Sequence, residues 1–553
     1  MTNAMKLLLV SAASCTLLAA CGGGGGGSAP TPPPTTVAPP PPPPATSNDP
    51  TYTAGTFEAA SSFKDRCENP RADRDDREGS TLIEKFWLRS WTNETYLWYD
   101  EVSDLDPSDT ADRVDYFDLL KTDRTTASGA PVDQFHFSQN TQEFEESRNG
   151  DPVSGYGASL RVLRGSPPNR DIRIAYTEPG SPASEEGGFL RGDKILVVDG
   201  IDAVNGATTQ SELDQLLAGL FPATAGEQHT FTVEGVDGVE RDITISSADV
   251  VRQPVTTTSV IDVDDDKKVG YIHFTTFSPF NSEEAIFDAM REMDDADIDD
   301  LVLDLRYNGG GLLAVAAQTG FMIAGEDATE GKTFDRLTFN DKNPNINPVT
   351  GDVLRPTPFI GTGVGFTVNE GTPLPQLDLD RVFILSTDGT CSASEAVING
   401  LRGIDVEVIL IGSQTCGKPY GFYPTDNCGE TYFTVQFRGS NDKGFGDYAD
   451  GFLPNDAASG FGVEVPGCTI ADNFQGVLGN ENEPFLAAAL HYAADGTCPS
   501  SSTANAKTSF SFPVTSLYPE FDIMNDKRVQ MDEFMRTSRI IGVTDGDIAD
   551  LKK

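Results

Sequence analysis

The chain has 553 residues, 38% of them hydrophobic, with 32 Phe and 14 Tyr. That is too much for one ordinary core and enough apolar material for about three folded units plus tails. Asp and Glu number 85 against 40 Lys and Arg, a formal net charge of −45. Such a surface repels phosphate backbones, so nucleic acid is excluded as a partner. The acidic runs within 262–266 and 294–300 are read as solvated faces rather than cation sites.

Lys6 precedes an apolar run from Leu7 to Ala20. The run is too short to span a bilayer comfortably, and residues 1–20 read as a secretory signal. It ends Leu18-Ala19-Ala20-Cys21, which resembles the lipobox of bacterial lipoproteins. The resemblance implies lipidation of Cys21 and a cell-envelope location, membrane-bound through the lipid, in the outer membrane facing the periplasm or the cell surface. Residues 21–55, rich in Gly and Pro, cannot bury a core and are expected to be a disordered tether. With Cys15 removed and Cys21 lipidated, Cys67, Cys391, Cys416, Cys428, Cys468 and Cys498 remain. An even number in an exported chain predicts disulfides, whose connectivity the spacing leaves open. No Cys/His cluster has metal-ligand spacing, and neither metal nor cofactor is expected.

Residues 56–150 are expected to be mostly helical. Phe86, Trp87, Trp91, Leu97 and Trp98 fall largely on one helical face between Glu84 and Val102, a packing face. Tyr116 to Leu120 reads as a second helix.

Residues 151–252 change character, with strands near Ala158–Val162 and Ile172–Tyr176. The run PGSPA followed by GGFLRGDKILVVDG, 179–200, resembles a PDZ domain. The resemblance implies a small β domain whose glycine loop, Gly155, Tyr156 and Gly157, offers N–H groups to a peptide's terminal carboxylate while the peptide adds a strand.

Residues 253–498 alternate strands and helices, as an α/β domain does. Val269–Phe274, Leu301–Arg306, Arg381–Leu385 and Val406–Ile411 read as strands, and Glu283–Met293 as an amphipathic helix. Residues 499–553 are an appendage; FDIMNDKRVQMDEF within it has an acidic rhythm but lacks the central Gly of a calcium loop.

Three segments carry chemistry. In Asp304–Leu312, DLRYNGGGL, a buried strand ends in glycines whose N–H groups can face a reacting oxygen. In Ser386–Ala396 a strand feeds a small-residue turn and a helix, and Ser392 or Ser394 stands at the helix start, as nucleophile or as plain N-cap. In Ile411–Gly421 the side chain of Lys418 sits among glycines after a buried strand, where desolvation favours a neutral base.

Together the three resemble the tail-specific, or C-terminal processing, peptidase family, whose pattern runs DLRxNxGGxL, GxxSASE, then GKGxxQ. The resemblance covers Glu84 to Cys498 and implies a multidomain α/β fold: an N-terminal helical region, a PDZ-like β domain and an α/β peptidase core. It implies a serine endopeptidase with Ser392 as nucleophile and Lys418 as base, and an oxyanion hole from Ala393 and Gly310. Its substrates are unfolded or C-terminally exposed exported polypeptides. Two positions depart from the pattern: Pro419 follows the lysine, and Phe422 stands where the family often has a Gln that orients it. Glu395 and Gln414 are the candidates for that task, and Cys416–Cys428 is one pairing that would stiffen the site. A competing reading is an inactive peptidase-fold lipoprotein acting as a scaffold, as in the interphotoreceptor retinoid-binding modules; the presence of both Ser392 and Lys418 favours the enzyme.

Overall fold

The computed structural model describes residues 49–500, apart from 265, 266 and 459, together with 518–526, 529, 539 and 540. The signal, Cys21, most of the tether and most of 499–553 lie outside the described residues.

A six-stranded sheet forms the centre. Its order is Val255–Asp264, Lys267–Phe274, Asp300–Asp304, Arg381–Ser386, Glu407–Gly412 and Gly467–Thr469. All neighbours pair in parallel except the first two strands. Every residue of Asp300–Asp304 is buried, the pattern of a parallel strand covered on both faces. Alternation sends Leu301, Leu303, Ile384 and Leu410 to one face, under the helices Ser282–Ala296, Leu313–Thr329 and Ala393–Gly403. Val302, Phe383, Leu385, Ile409 and Ile411 go to the other, under the helix Pro484–Asp495. Each such side chain contributes about 1.5–3 kcal/mol by burial. Glu483 starts that last helix by accepting the Phe485 and Leu486 N–H groups, each at 3.1 Å, and left-handed Gly496 ends it.

Residues 151–252 form a six-stranded sheet with the helix Gln210–Leu220 packed on it. Ala158–Arg164 lies at one edge of its main strand order and Glu240–Ser246 at the other. Two ion pairs fasten this unit to the core. Arg191 holds Asp472 at 2.7 Å and also donates to the Tyr307 hydroxyl; Arg161 holds Asp388 at 2.7 Å.

The N-terminal segment is less helical than the aromatic spacing predicts. Its α-helices are Thr81–Thr95, Arg113–Asp118 and Thr141–Asn149. The first stops before Trp98 because Tyr96 turns extended and the Leu97 N–H donates to Val435 O at 2.8 Å. The segment is built into the core rather than set beside it. Its strand Phe137–Asn140 pairs with Glu430–Phe433, Tyr432 packs on Trp87 and Trp91, and Cys67 is bonded to Cys428. The described parts of the appended segment are also docked. Ile523 is buried in the core of the 151–252 unit, its N–H donates to Gly165 O at 3.3 Å, and Arg539–Ile540 pairs in parallel with Gly311–Leu312. No described helix is long and apolar enough to cross a membrane.

Candidate active site

The turns after Asp300–Asp304, Arg381–Ser386 and Glu407–Gly412 meet at the carboxyl ends of three adjacent parallel strands. They are the three segments singled out in the sequence. Ser392 stands at the start of the helix Ala393–Gly403 with φ 61° and ψ −108°. A non-glycine residue adopts that conformation at a cost of about 1–3 kcal/mol, so the surrounding structure must impose it. Its Oγ is buried without a hydrogen-bond partner among the described residues.

One carboxylate organises the turn. Glu395, fully buried in the first turn of the helix, accepts the Ser392 N–H at 2.9 Å. It also accepts the N–H groups of Gly417 and Lys418, each at 2.8 Å, and the Thr415 hydroxyl at 2.6 Å. Ser392 and Lys418 thus share one oxygen, Oε2, through their backbones. Burial pushes the Glu395 carboxyl up, against these hydrogen bonds, which pull it down. Glu395, a candidate for orienting the lysine, thus fixes the Lys418 backbone N–H and the loop around it. Gln414 donates to Asp450 O instead.

A disulfide closes the same arrangement. Cys391 pairs with Cys416, Cα–Cα 5.2 Å, and the third bridge is Cys468–Cys498. The pairing Cys416–Cys428 is therefore incorrect: Cys428 lies against Cys67 of the N-terminal segment, a partner 361 residues away that local spacing cannot reveal.

Lys418 is fully buried. Its Nζ stands 4.6 Å from the centre of the Phe135 ring and 4.5 Å from that of Phe422. Phe422 occupies the place where a Gln was expected, and Phe135 comes from the N-terminal segment.

Gly310 has φ 109°, and a Cβ there would lie 2.8 Å from Ser392 Cβ and 2.9 Å from Ala393 N. Only glycine permits that approach. In this conformation the Gly310 N–H donates to Asn308 Oδ1 at 2.9 Å, so it does not point to an open oxyanion position. The Ala393 N–H belongs to the first helical turn, whose N–H groups lack intrahelical acceptors and suit developing negative charge. Asn308 was not assigned a role from sequence. Its carbonyl accepts the Cys391 N–H at 3.1 Å and the Ser394 hydroxyl at 2.9 Å, tying the glycine turn to the serine turn. Its place inside DLRYNGGGL was the available signal.

Beneath the site Arg306 is locked between Asp304 and Glu483, the latter at 2.7 Å, and Tyr271 donates to Asp304 at 2.6 Å. Burial alone would raise the Asp304 carboxyl; Arg306 and His273 outweigh it and hold it at about 2. Burial pushes His273 down to about 4.

Gly155, Tyr156 and Gly157, with edge-strand residue Leu160, line a cavity of about 1210 Å³ whose other walls come from the N-terminal segment, including His136 and Glu143, and from the core, including Ser278 and Glu430. Ser392 and Lys418 are not part of its lining. The Tyr156 and Gly157 carbonyls are occupied, accepting the Ala183 and Glu178 N–H groups at 2.8 and 2.7 Å.

Residues 268–424 match the model of Peptidase family S41. The chain is 31% identical over 279 residues to a carboxyl-terminal-processing protease of Picosynechococcus sp., covering 48% of this chain and 54% of the relative. It is 27% identical over 270 residues to one from Synechocystis sp., covering 48% and 53%. The chain thus spans about half the length of the curated relatives it matches. A solved S41-protease structure from Bacteroides fragilis shares the fold, with a TM-score of 0.56 and 22% identity over 74% of this chain and 97% of that one. Residues 268–424 are thus similar in sequence to S41 peptidases, and the fold to a solved S41-protease structure.

Proposed function

We propose that this chain is a serine endopeptidase that cuts exported polypeptides with Ser392 and Lys418. The observation that carries the reading is the shared Glu395 carboxylate, which ties the backbones of both residues, in two adjacent buried turns, to one oxygen. The Lys418 amine takes the proton of Ser392 Oγ as that oxygen bonds to the substrate carbonyl carbon. The developing oxyanion meets the Ala393 N–H at the helix start, and a second donor from the glycine turn requires Gly310 to leave Asn308. The ammonium then gives its proton to the leaving amine as the C–N bond breaks. Water, deprotonated by the same amine, releases the acyl group.

Ser392 and Lys418 are both fully buried, so peptide reaches them only when covering segments move. The 151–252 unit is positioned to couple to that movement, because Arg161 holds Asp388 in the turn before Ser392. Its edge strand, glycine loop and adjoining cavity support a PDZ-like role in taking substrate C-termini. The chain is anchored through a lipid on Cys21, in the outer membrane facing the periplasm or the surface; Cys21→Ser should release it from the membrane fraction with its catalytic constants unchanged. A serine-reactive phosphonate tests the chemistry. Wild type should be labelled and should cleave an unstructured reporter, whereas Ser392→Ala and Lys418→Ala should do neither while staying folded. Near-normal turnover by Lys418→Ala would overturn the dyad, and no labelling of wild type would leave a binding scaffold.

A further inference from the structure

The amine of Lys418 lies between two aromatic rings contributed by different parts of the chain. Both rings are themselves held. Phe422 is fully buried and packs on Phe433 at 5.3 Å between centres. Phe135 lies in a buried cluster with Tyr96, Trp98, Tyr420 and Cys391. Its N–H donates to Asp133 at 3.1 Å, and Asp133, fully buried, accepts the Tyr96 hydroxyl at 2.6 Å. The lysine is fixed from the other end, since its backbone N–H is held by Glu395.

We infer that Phe135 and Phe422 are positioning residues for the general base, and that the N-terminal segment, through Phe135, is a working part of the catalytic centre. This rests on the peptidase reading above. A general base starts neutral and becomes an ammonium as it takes the serine proton, here at a fully buried position. Full burial opposes that charge. The negative faces of two aromatic rings within 6 Å favour it, increasingly as the charge develops through the transition state toward the ammonium. The rings also keep the four-carbon stem in one direction, so the proton acceptor is aimed before substrate arrives. A sheath of aliphatic side chains would fill the same space but would lack the negative ring faces that favour the developing charge.

The test replaces the rings without emptying the space. Phe135→Leu and Phe422→Leu should each lower kcat and the rate of phosphonate labelling by about tenfold, with KM within about twofold. Phe135→Tyr, which keeps the ring face, should restore both rates. Because a leucine variant can lose packing, fluorinated phenylalanines at position 135 provide a second series: volume changes little while the negative potential of the face declines. Labelling rate should fall stepwise with each added fluorine at constant melting temperature. A labelling rate indifferent to fluorination, or a loss in Phe135→Tyr equal to that in Phe135→Leu, overturns the inference. If Ser392→Ala were labelled and active like wild type, the peptidase reading itself would fail, whatever the rings do.

Discussion

Two buried carboxylates stand a few residues from the same turns, and they are satisfied in opposite ways. Asp304 faces a cation: Arg306 lies against it, Glu483 completes the pair, and the carboxyl is held at about 2. Glu395 takes three backbone N–H groups and a hydroxyl, and burial pushes its carboxyl up. The first arrangement closes charge on itself and braces the strand end. The second spends its hydrogen-bonding capacity on neutral donors belonging to the serine and lysine loops. A buried ion pair can hold a fold without touching a reaction, whereas a carboxylate that collects backbone donors fixes the shape of a turn. The difference predicts which of the two a substitution damages, stability or rate.

The largest effect is expected at the ion pair. Asp304→Asn leaves Arg306 buried with one carboxylate fewer and should cost about 3–5 kcal/mol in urea unfolding. Activity of the folded fraction, measured at low temperature, should stay within a few fold. A variant as stable as wild type would mean that Glu483 alone satisfies the arginine.

At Glu395 the order reverses. Glu395→Gln keeps the volume but turns an NH₂ toward N–H donors, so one loop loses its acceptor. We expect kcat to fall about a hundredfold, with a smaller effect on stability than Asp304→Asn. Equal activity in the two variants would erase the distinction drawn here.

The disulfides extend the contrast at a smaller scale. Cys391–Cys416 joins the same two loops as Glu395 does, and Cys67–Cys428 joins the N-terminal segment to the core. Breaking the first, in Cys391→Ala/Cys416→Ala, should lower kcat about tenfold before any loss of global structure; breaking the second should lower the melting temperature first. Reduction of the native protein should accordingly abolish reporter cleavage faster than it changes far-ultraviolet circular dichroism. Free thiols at Cys391 and Cys416 in the native protein would remove the basis for this expectation.

Much of the core was legible because its determinants are local. A parallel strand covered on both faces is a continuous apolar run, and Leu301–Leu303 and Val382–Leu385 read as such. Glycine turns and a serine followed by Ala-Ser-Glu mark the ends of those strands. What sequence did not show is pairing at long range. Cys67 with Cys428, Phe137–Asn140 with Glu430–Phe433, and Phe135 over Lys418 join positions far apart in the chain, the first pair by 361 residues, and no spacing rule links them. The helix expected through Val102 stops at Thr95 for the same reason: Val435 takes the Leu97 N–H, and tertiary pairing overrides the local period. Glu395 is legible in the motif, but its hold on the Ser392, Gly417 and Lys418 backbones is not, because a motif names the residue without saying which groups its side chain meets.

The smallest effect is also the sharpest test of the comparison, because the two carboxylates should differ in sign. Asp304 has a folded value of about 2 against an ordinary 3.8. Its contribution is present above pH 4 and is lost as pH falls toward 2, because protonation removes the charge that Arg306 needs. The stability gap between wild type and Asp304→Asn should therefore be widest at neutral pH and should narrow in acid. Glu395 has a folded value raised above 4.5. The folded state favours its protonated form, so its contribution is present below pH 4.5 and is lost as pH rises through the folded value. The gap between wild type and Glu395→Gln should be widest in acid and should narrow as pH rises. His273, which burial holds at about 4, destabilises every variant as pH falls from about 6.5, so gaps rather than single curves must be compared. Urea unfolding of the three proteins at a series of pH values gives both slopes. Slopes of the same sign would show that Glu395, like Asp304, is stabilised chiefly by a positive charge, and would transfer the organising role from backbone donors to the lysine itself.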